Sequence, residues 1–320
     1  MRFSVIIPLF NKALYVRKAI NSVLTQSFQD FELIVVNDGS TDDSAAIAKQ
    51  CLTGHSNATL LQQENAGVSA ARNSGAAIAK APYLCFLDAD DWWEPTFLEE
   101  MDKLIDDFPD AGIYGANYTI INETKHKTRI APIGLPDGFT RGYINYCQAY
   151  ARLLGMPLTS SSACIPKNVF TEMGGFPYGI TLGEDFILWI HIALKYKMAF
   201  VNKPLSNYNQ DIPINLRAVG QLHAPAVHML WNLQDLADQE NSNADLKVLL
   251  DKLRVYSLMP YYLSSAYHKD AMSELGKVDW SKQPASVRKN YHLPRWILGI
   301  KQSLLKLGSI IKTALLSHLR

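Results

Sequence analysis

Four short apolar runs, each followed by a segment of helical period, fill the first hundred residues. Residues 5–7 read as a buried strand stopping at Pro8, 32–36 as a second, 59–61 as a third and 83–87 as a fourth. Between them, 13–24, a segment capped by Thr41 or Asp42 and running to about Gln50, and 68–79 read as helices. Pro95 suits the first turn of another. Strands that are apolar throughout need cover on both faces, and intervening helices supply it, which predicts an α/β chain with a mostly parallel sheet. Ligands of such sheets bind at the carboxyl ends of the strands. Here the first strand runs into Pro8-Leu9-Phe10-Asn11, the second into Asn37-Asp38-Gly39 and the fourth into Asp88-Ala89-Asp90-Asp91. Polar and acidic groups therefore collect on one rim.

The later chain is mixed. Residues 113–121 and 127–131 read as strands, 143–154 as a helix, 160–165 as a strand passing into a short helix, 184–196 as a helix and 198–201 as a strand. After about residue 215 the pattern is helical almost throughout, with amphipathic segments at 226–236 and 246–263. This predicts a mixed α/β domain over 1–215 and a helical region over 216–320. A net charge of +1 with 19% charged residues carries no electrostatic footprint for nucleic acid, and 48% hydrophobic residues are ample for a core. Cys51, Cys85, Cys147 and Cys164 lack metal-finger spacing and are expected to be reduced. The opening residues lack the apolar core and cleavage site of a signal peptide, and no run of about 18 apolar residues occurs, so a cytoplasmic location is expected.

Three carboxylates within four residues, Asp88, Asp90 and Asp91, repel one another unless a cation offsets them, and oxygen donors select magnesium or manganese. The plainer reading is an acidic turn capping the next helix. Asp38 ends a buried strand before Gly39; it can take a nucleobase or ribose hydrogen bond, or organise the loop as an Asx-turn. The run from Asn65-Ala66-Gly67 to Arg72-Asn73-Ser74-Gly75 opens a helix with small side chains, suited either to a ligand or to close packing, and Arg72 can face a base or phosphate. Gly183-Glu184-Asp185 precedes an apolar helix; the carboxylates fit an N-terminal turn, and one of them can act as a general base.

In order and spacing these segments resemble the family 2 inverting glycosyltransferases. The match rests on Ser4-Val5-Ile6-Ile7-Pro8-Leu9-Phe10-Asn11, Val35-Val36-Asn37-Asp38-Gly39-Ser40-Thr41-Asp42, Asn65-Ala66-Gly67 with Ala71-Arg72-Asn73, Phe86-Leu87-Asp88-Ala89-Asp90-Asp91, Gly174-Gly175-Phe176 and Gly183-Glu184-Asp185. The resemblance implies a GT-A type, Rossmann-like nucleotide-diphospho-sugar transferase fold. It implies that Pro8, Phe10, Asn11, Asp38 and Arg72 line the nucleotide pocket, and that Asp88 holds the ribose or assists the metal. Asp90 would ligate a manganese or magnesium ion bridging the diphosphate, and Asp185 would be the base, with Glu184 beside it. It also implies a nucleoside-diphosphate sugar donor, UDP-linked by preference, a glycan or glycolipid acceptor, and a place in bacterial surface polysaccharide synthesis. The Gln-X-X-Arg-Trp motif of processive synthases is absent: Asp185 is followed by Phe186-Ile187-Leu188-Trp189-Ile190-His191, which implies transfer of one sugar per encounter.

Two other readings compete. A nucleotidyltransferase shares the sheet and the metal, but the stretch Leu9-Phe10-Asn11-Lys12 has no glycine for a phosphate loop. A non-catalytic nucleotide-sugar binding module would lack an acidic residue at the metal or base position, whereas Asp90 and Asp185 are both present. Residues 288–320 carry seven Lys or Arg and no Asp or Glu, with apolar residues at helical spacing and Trp296 near the start. Such a segment suits an anionic membrane surface, here the cytoplasmic face of the inner membrane, or packing on the protein itself.

Overall fold

The computed structural model describes residues 1–122, 127–213 and 221–298. Contacts divide the chain into two compact units, Met1–Leu249 and Leu250–Arg320. The division expected near residue 215 falls within 214–220, outside the described residues.

The first unit is built on a ten-stranded sheet. Its first half is parallel. β1 (Phe3–Leu9) lies between β2 (Phe31–Asp38) and β4 (Tyr83–Phe86), and β3 (Ala58–Gln63) pairs with β2. The connections are α1 (Val16–Leu24), α2 (Ser44–Leu52) and α3 (Val68–Ile78). All seven residues of β1 and all eight of β2 are buried, as strands covered on both faces must be. On one face Val5, Ile7 and Leu9 pack with Val16, Ile20 and Val23 of α1. On the other, α3 comes close because its contact residue is small: a Cβ on Gly75 would lie 2.5 Å from Ile6 Cγ2. The small side chains of this helix are thus used for packing against the sheet.

The second half of the sheet is mixed. After the short β5 (Trp92–Trp93) come α4 (Phe97–Asp107), β6 (Ala111–Asn122), β7 (Lys127–Ile130), β8 (Arg141–Ile144), α5 (Tyr146–Leu153), β9 (Ala163–Pro166), α6 (Lys167–Glu172), α7 (Glu184–Lys195) and β10 (Lys197–Asn209). β9 runs antiparallel between β4 and β6, and the long β6 and β10 pair in parallel. Where a helix was expected from 143, Arg141–Ile144 instead pairs with β10, and Asn145 then caps α5 by accepting from Gln148 N–H. Residues 160–162 form a 3-10 turn, so the strand expected from 160 starts at Ala163 as β9, and it passes into the short helix α6 in the expected order. The four cysteines are free thiols, and Cys85 and Cys164 are partners across the β4–β9 ladder.

The expected 226–236 helix is replaced by three 3-10 turns, the first opening on Pro225 and the second held by the His228 side chain accepting from Leu230 N–H. Next come α8 (Ala237–Ser242) and α9 (Ala244–Ser257). The helix expected to run on to 263 stops at Ser257, and a separate α10 (Met259–Leu263) begins. Pro260 lacks the N–H that a continuous helix needs, and its ring opposes the preceding turn. The second unit continues with α11 (His268–Leu275) and α12 (Ala285–His292), so the described part of it is helical. Its interior holds Arg254, 3.2 Å from Glu274 and 3.7 Å from Asp251. Of the cationic segment over 288–320, residues 299–320 lie outside the described residues. No helix among the described residues is long and apolar enough to cross a membrane.

Candidate active site

The parallel register brings the ends of β1, β2 and β4 to one edge, with Leu9 opposite Asn37. Two loops there are stitched together. Asn11 adopts a left-handed backbone (φ 51°), which asparagine tolerates better than most residues. Its N–H donates to Ser40 Oγ at 3.1 Å and its Oδ1 accepts from Thr41 N–H at 2.8 Å. Lys12 N–H donates to Ser44 Oγ at 2.7 Å. Phe10 is 43% exposed on this rim, whereas Pro8 is buried within β1.

Asp38 is buried, and its carboxylate serves the neighbouring loop. Oδ1 accepts from Gln63 Nε2 at 2.6 Å and Ala66 N–H at 2.9 Å, and Oδ2 accepts from Gly67 N–H at 2.9 Å. Gly39 (φ 72°) lets the chain pass, because a Cβ there would lie 2.8 Å from Asn65 N. These are the contacts of a loop organiser, the second of the two roles open to Asp38 in the sequence.

The three carboxylates of the acidic run after β4 go to different partners. Asp88 Oδ1 accepts from Arg72 Nη2 at 2.6 Å, and Asp90 Oδ2 holds Lys12 Nζ at 2.5 Å. Asp91 faces inward: Oδ2 accepts from Ser161 Oγ at 2.6 Å and Oδ1 from Asn209 N–H at 2.9 Å. Ser161 Oγ also accepts from Asp88 N–H at 3.1 Å, and its carbonyl accepts from Trp93 Nε1 at 2.6 Å. Burial raises the Asp90 carboxyl above its ordinary range, Lys12 opposing. Burial, with Asp90 and Asp88 nearby, raises Asp91 further. Asp91 is therefore a buttress of the loop. In the sequence Ser160-Ser161-Ser162 carries no signal beyond a polar turn, so nothing there marks Ser161.

No three His, Cys, Asp or Glu side chains among the described residues converge as a ready-made metal cage. The donors fit a hard cation nonetheless. Asp90 offers an oxygen to a cation already, and a magnesium-type ion typically takes one or two protein carboxylates and fills the rest of its shell with phosphate and water.

The second acidic pair begins α7. Gly183 (φ 84°) sets the entry to the helix. Glu184 Oε1 accepts from Arg72 Nη1 at 2.8 Å. Asp185 Oδ1 accepts from Phe186 N–H at 2.7 Å. Burial, and then the Glu184 charge, push the Asp185 carboxyl up to about 7, against the pull of Arg72. Burial raises the Tyr118, Tyr146 and Tyr150 phenols, and the nearby Asp185 charge adds to each shift. Arg72 is buried, with Phe176 beneath its guanidinium at 4.8 Å. Both of its terminal nitrogens are committed to protein carboxylates, so it ties the acidic loop to the start of α7. Beside it, Asn73 Oδ1 accepts from Phe176 N–H at 2.9 Å and Asn73 Nδ2 donates to Phe176 carbonyl at 2.8 Å, fixing the turn at Gly174-Gly175.

A model of the family described as Glycosyl transferase family 2 matches residues 4–164, a span that contains the acidic loop and stops short of Glu184 and Asp185. Glycosyltransferase GlyA of Streptococcus pneumoniae serotype 4 is 40% identical over 214 residues, which are 65% of this chain and 30% of GlyA. The chain thus corresponds to under a third of that relative's length. Among solved structures, Staphylococcus aureus TarS 1–349 in complex with UDP-GlcNAc superposes with a TM-score of 0.70 at 18% identity, covering 86% of this chain and 80% of TarS 1–349. The mannosyltransferase PcManGT of Pyrobaculum calidifontis, in complex with GDP-Man and Mn2+, gives a TM-score of 0.50 at 15% identity over 88% of each chain.

Proposed function

The chain belongs to glycosyl transferase family 2, and from that membership we propose that it moves a single sugar from a nucleoside-diphosphate donor to an acceptor hydroxyl with inversion. Its fold is the GT-A type, shared with TarS. The observation that carries the proposal is the double ion pair of Arg72. One side chain joins Asp88, beside the candidate ion ligand Asp90, to Glu184, beside the candidate base Asp185.

In this reading Asp185 accepts the proton of the acceptor hydroxyl as its oxygen attacks the anomeric carbon. A carboxyl near 7 is matched to that task at neutral pH. Asp90 would hold manganese or magnesium, which when bound offsets the charge developing on the leaving diphosphate. Asp88 takes the ribose side. Phe10 and Asn11 flank the nucleotide, while Pro8 and Asp38 shape its pocket from within. A UDP-linked donor is favoured, supported by the likeness to TarS, which binds UDP-GlcNAc. The acceptor is a glycan or glycolipid of bacterial surface polysaccharide, met at the cytoplasmic face of the membrane, with no nucleic acid involved.

The test is release of nucleoside diphosphate from a panel of nucleotide sugars with Mn2+, for wild type, Asp90→Ala and Asp185→Asn, alongside thermal shift with each nucleotide. Turnover of one donor that both substitutions abolish supports the reading. Stabilisation by a nucleotide without turnover of any donor would favour a binding module instead.

A further inference from the structure

Asp90 is the ion ligand in the reading above, yet its carboxylate already faces a cation of the chain itself. Lys12 Nζ lies 2.5 Å from Asp90 Oδ2, with the two side chains 17% and 18% exposed. In the neighbouring pair with Asp88 the cation is the more enclosed, the Arg72 side chain being 3% exposed. The backbone under Lys12 is fixed independently, by its own N–H on Ser44 Oγ and by Asn11 N–H on Ser40 Oγ. The lysine stem can therefore turn without this backbone moving. An ammonium is a compact point charge on rotatable bonds and a common phosphate binder. With a divalent cation on Asp90, Lys12 would face a like charge at close range, and repulsion would drive its ammonium away. The anion then within reach on this rim is the diphosphate of the donor.

We propose that Lys12 is a binding residue for the donor diphosphate, resting on Asp90 and exchanging that carboxylate for the phosphates when cation and donor load. This rests on the donor-site reading of Asp90. In the resting protein the ammonium offsets the charge of Asp90; in the loaded protein it adds a second positive charge on the leaving group.

Isothermal titration of the full chain tests this with Mn2+ alone, with nucleoside diphosphates plus Mn2+, and with the parent nucleosides, on wild type, Lys12→Met and Lys12→Arg. Ligand-free thermal unfolding of each variant checks that the fold is kept. Lys12→Met should weaken the best-bound diphosphate about tenfold, the scale of one lost charge-assisted hydrogen bond. The nucleoside should bind as before, Mn2+ alone should bind more tightly, and Lys12→Arg should retain most of the diphosphate affinity. Equal diphosphate affinity in wild type and Lys12→Met would overturn the proposal while leaving the donor site standing. A wild type that binds no nucleotide at all would overturn the donor-site reading, and the role of Lys12 with it.

Discussion

Asp185 and Asp91 both hold a proton more tightly than a solvated carboxylate, for the same first cause, burial, and with different consequences. Asp185 must be ionised to accept a proton. With its carboxyl near 7, kcat/KM should rise with pH through about 7 and level off above it. Asp185→Asn should remove that limb and lower kcat by roughly 10²–10⁴-fold with donor affinity kept; an unchanged pH profile would remove Asp185 from the chemistry. Asp91 bears on stability. Its folded-state proton affinity exceeds the unfolded one, so the group favours folding most at acid pH, and ionising it penalises the fold as pH rises above the ordinary carboxylate range. Asp91→Asn removes the charge and keeps an acceptor, so its melting temperature at neutral pH should equal or exceed wild type. Asp91→Ala leaves Asn209 N–H without its acceptor and should melt lower than Asp91→Asn, by about 1–3 kcal/mol of stability. Differential scanning calorimetry of the two variants decides this.

Among the elements, α3 does most to assemble the site, because it presents Arg72 to both acidic groups and Asn73 to the turn at 174–176. Gly175 (φ 74°) makes that docking possible, since a Cβ would lie 2.7 Å from Asn73 Oδ1. Gly175→Ala should therefore cost about 1–3 kcal/mol, read as a lower denaturant midpoint, through left-handed strain and the displaced amide. A neutral outcome would mean the turn can refold around the methyl group. The helices themselves were legible wherever apolar spacing and small residues agreed. Misreadings came where a tertiary partner overrode the local pattern, as when Arg141–Ile144 paired with β10, or where Pro260 divided a segment whose period continued across it.

Across the whole molecule, the cationic segment over 288–320 is proposed to place the enzyme at an anionic membrane surface. Truncation near residue 290 should shift the protein from the membrane to the soluble fraction and weaken binding to anionic vesicles, each nearby Lys or Arg adding about 1 kcal/mol to such binding. Unchanged fractionation would assign the segment to packing within the protein. The strand ends that deliver Asn11, Asp38 and residues 88–91 to one rim were readable in advance, because strand period is a local property and a parallel sheet gathers its carboxyl ends together. That the acidic run and the later Gly183-Glu184-Asp185 serve one site was implied only by the family resemblance. The partner of each charge was not readable. Lys12 meets Asp90 across 78 residues, Ser161 meets Asp91 across 70, and Arg72 meets Glu184 across 112. Composition and period determine which faces are buried and where polar groups emerge. Which ammonium neutralises which carboxylate depends on approaches of a few ångströms, and only the packed chain sets those.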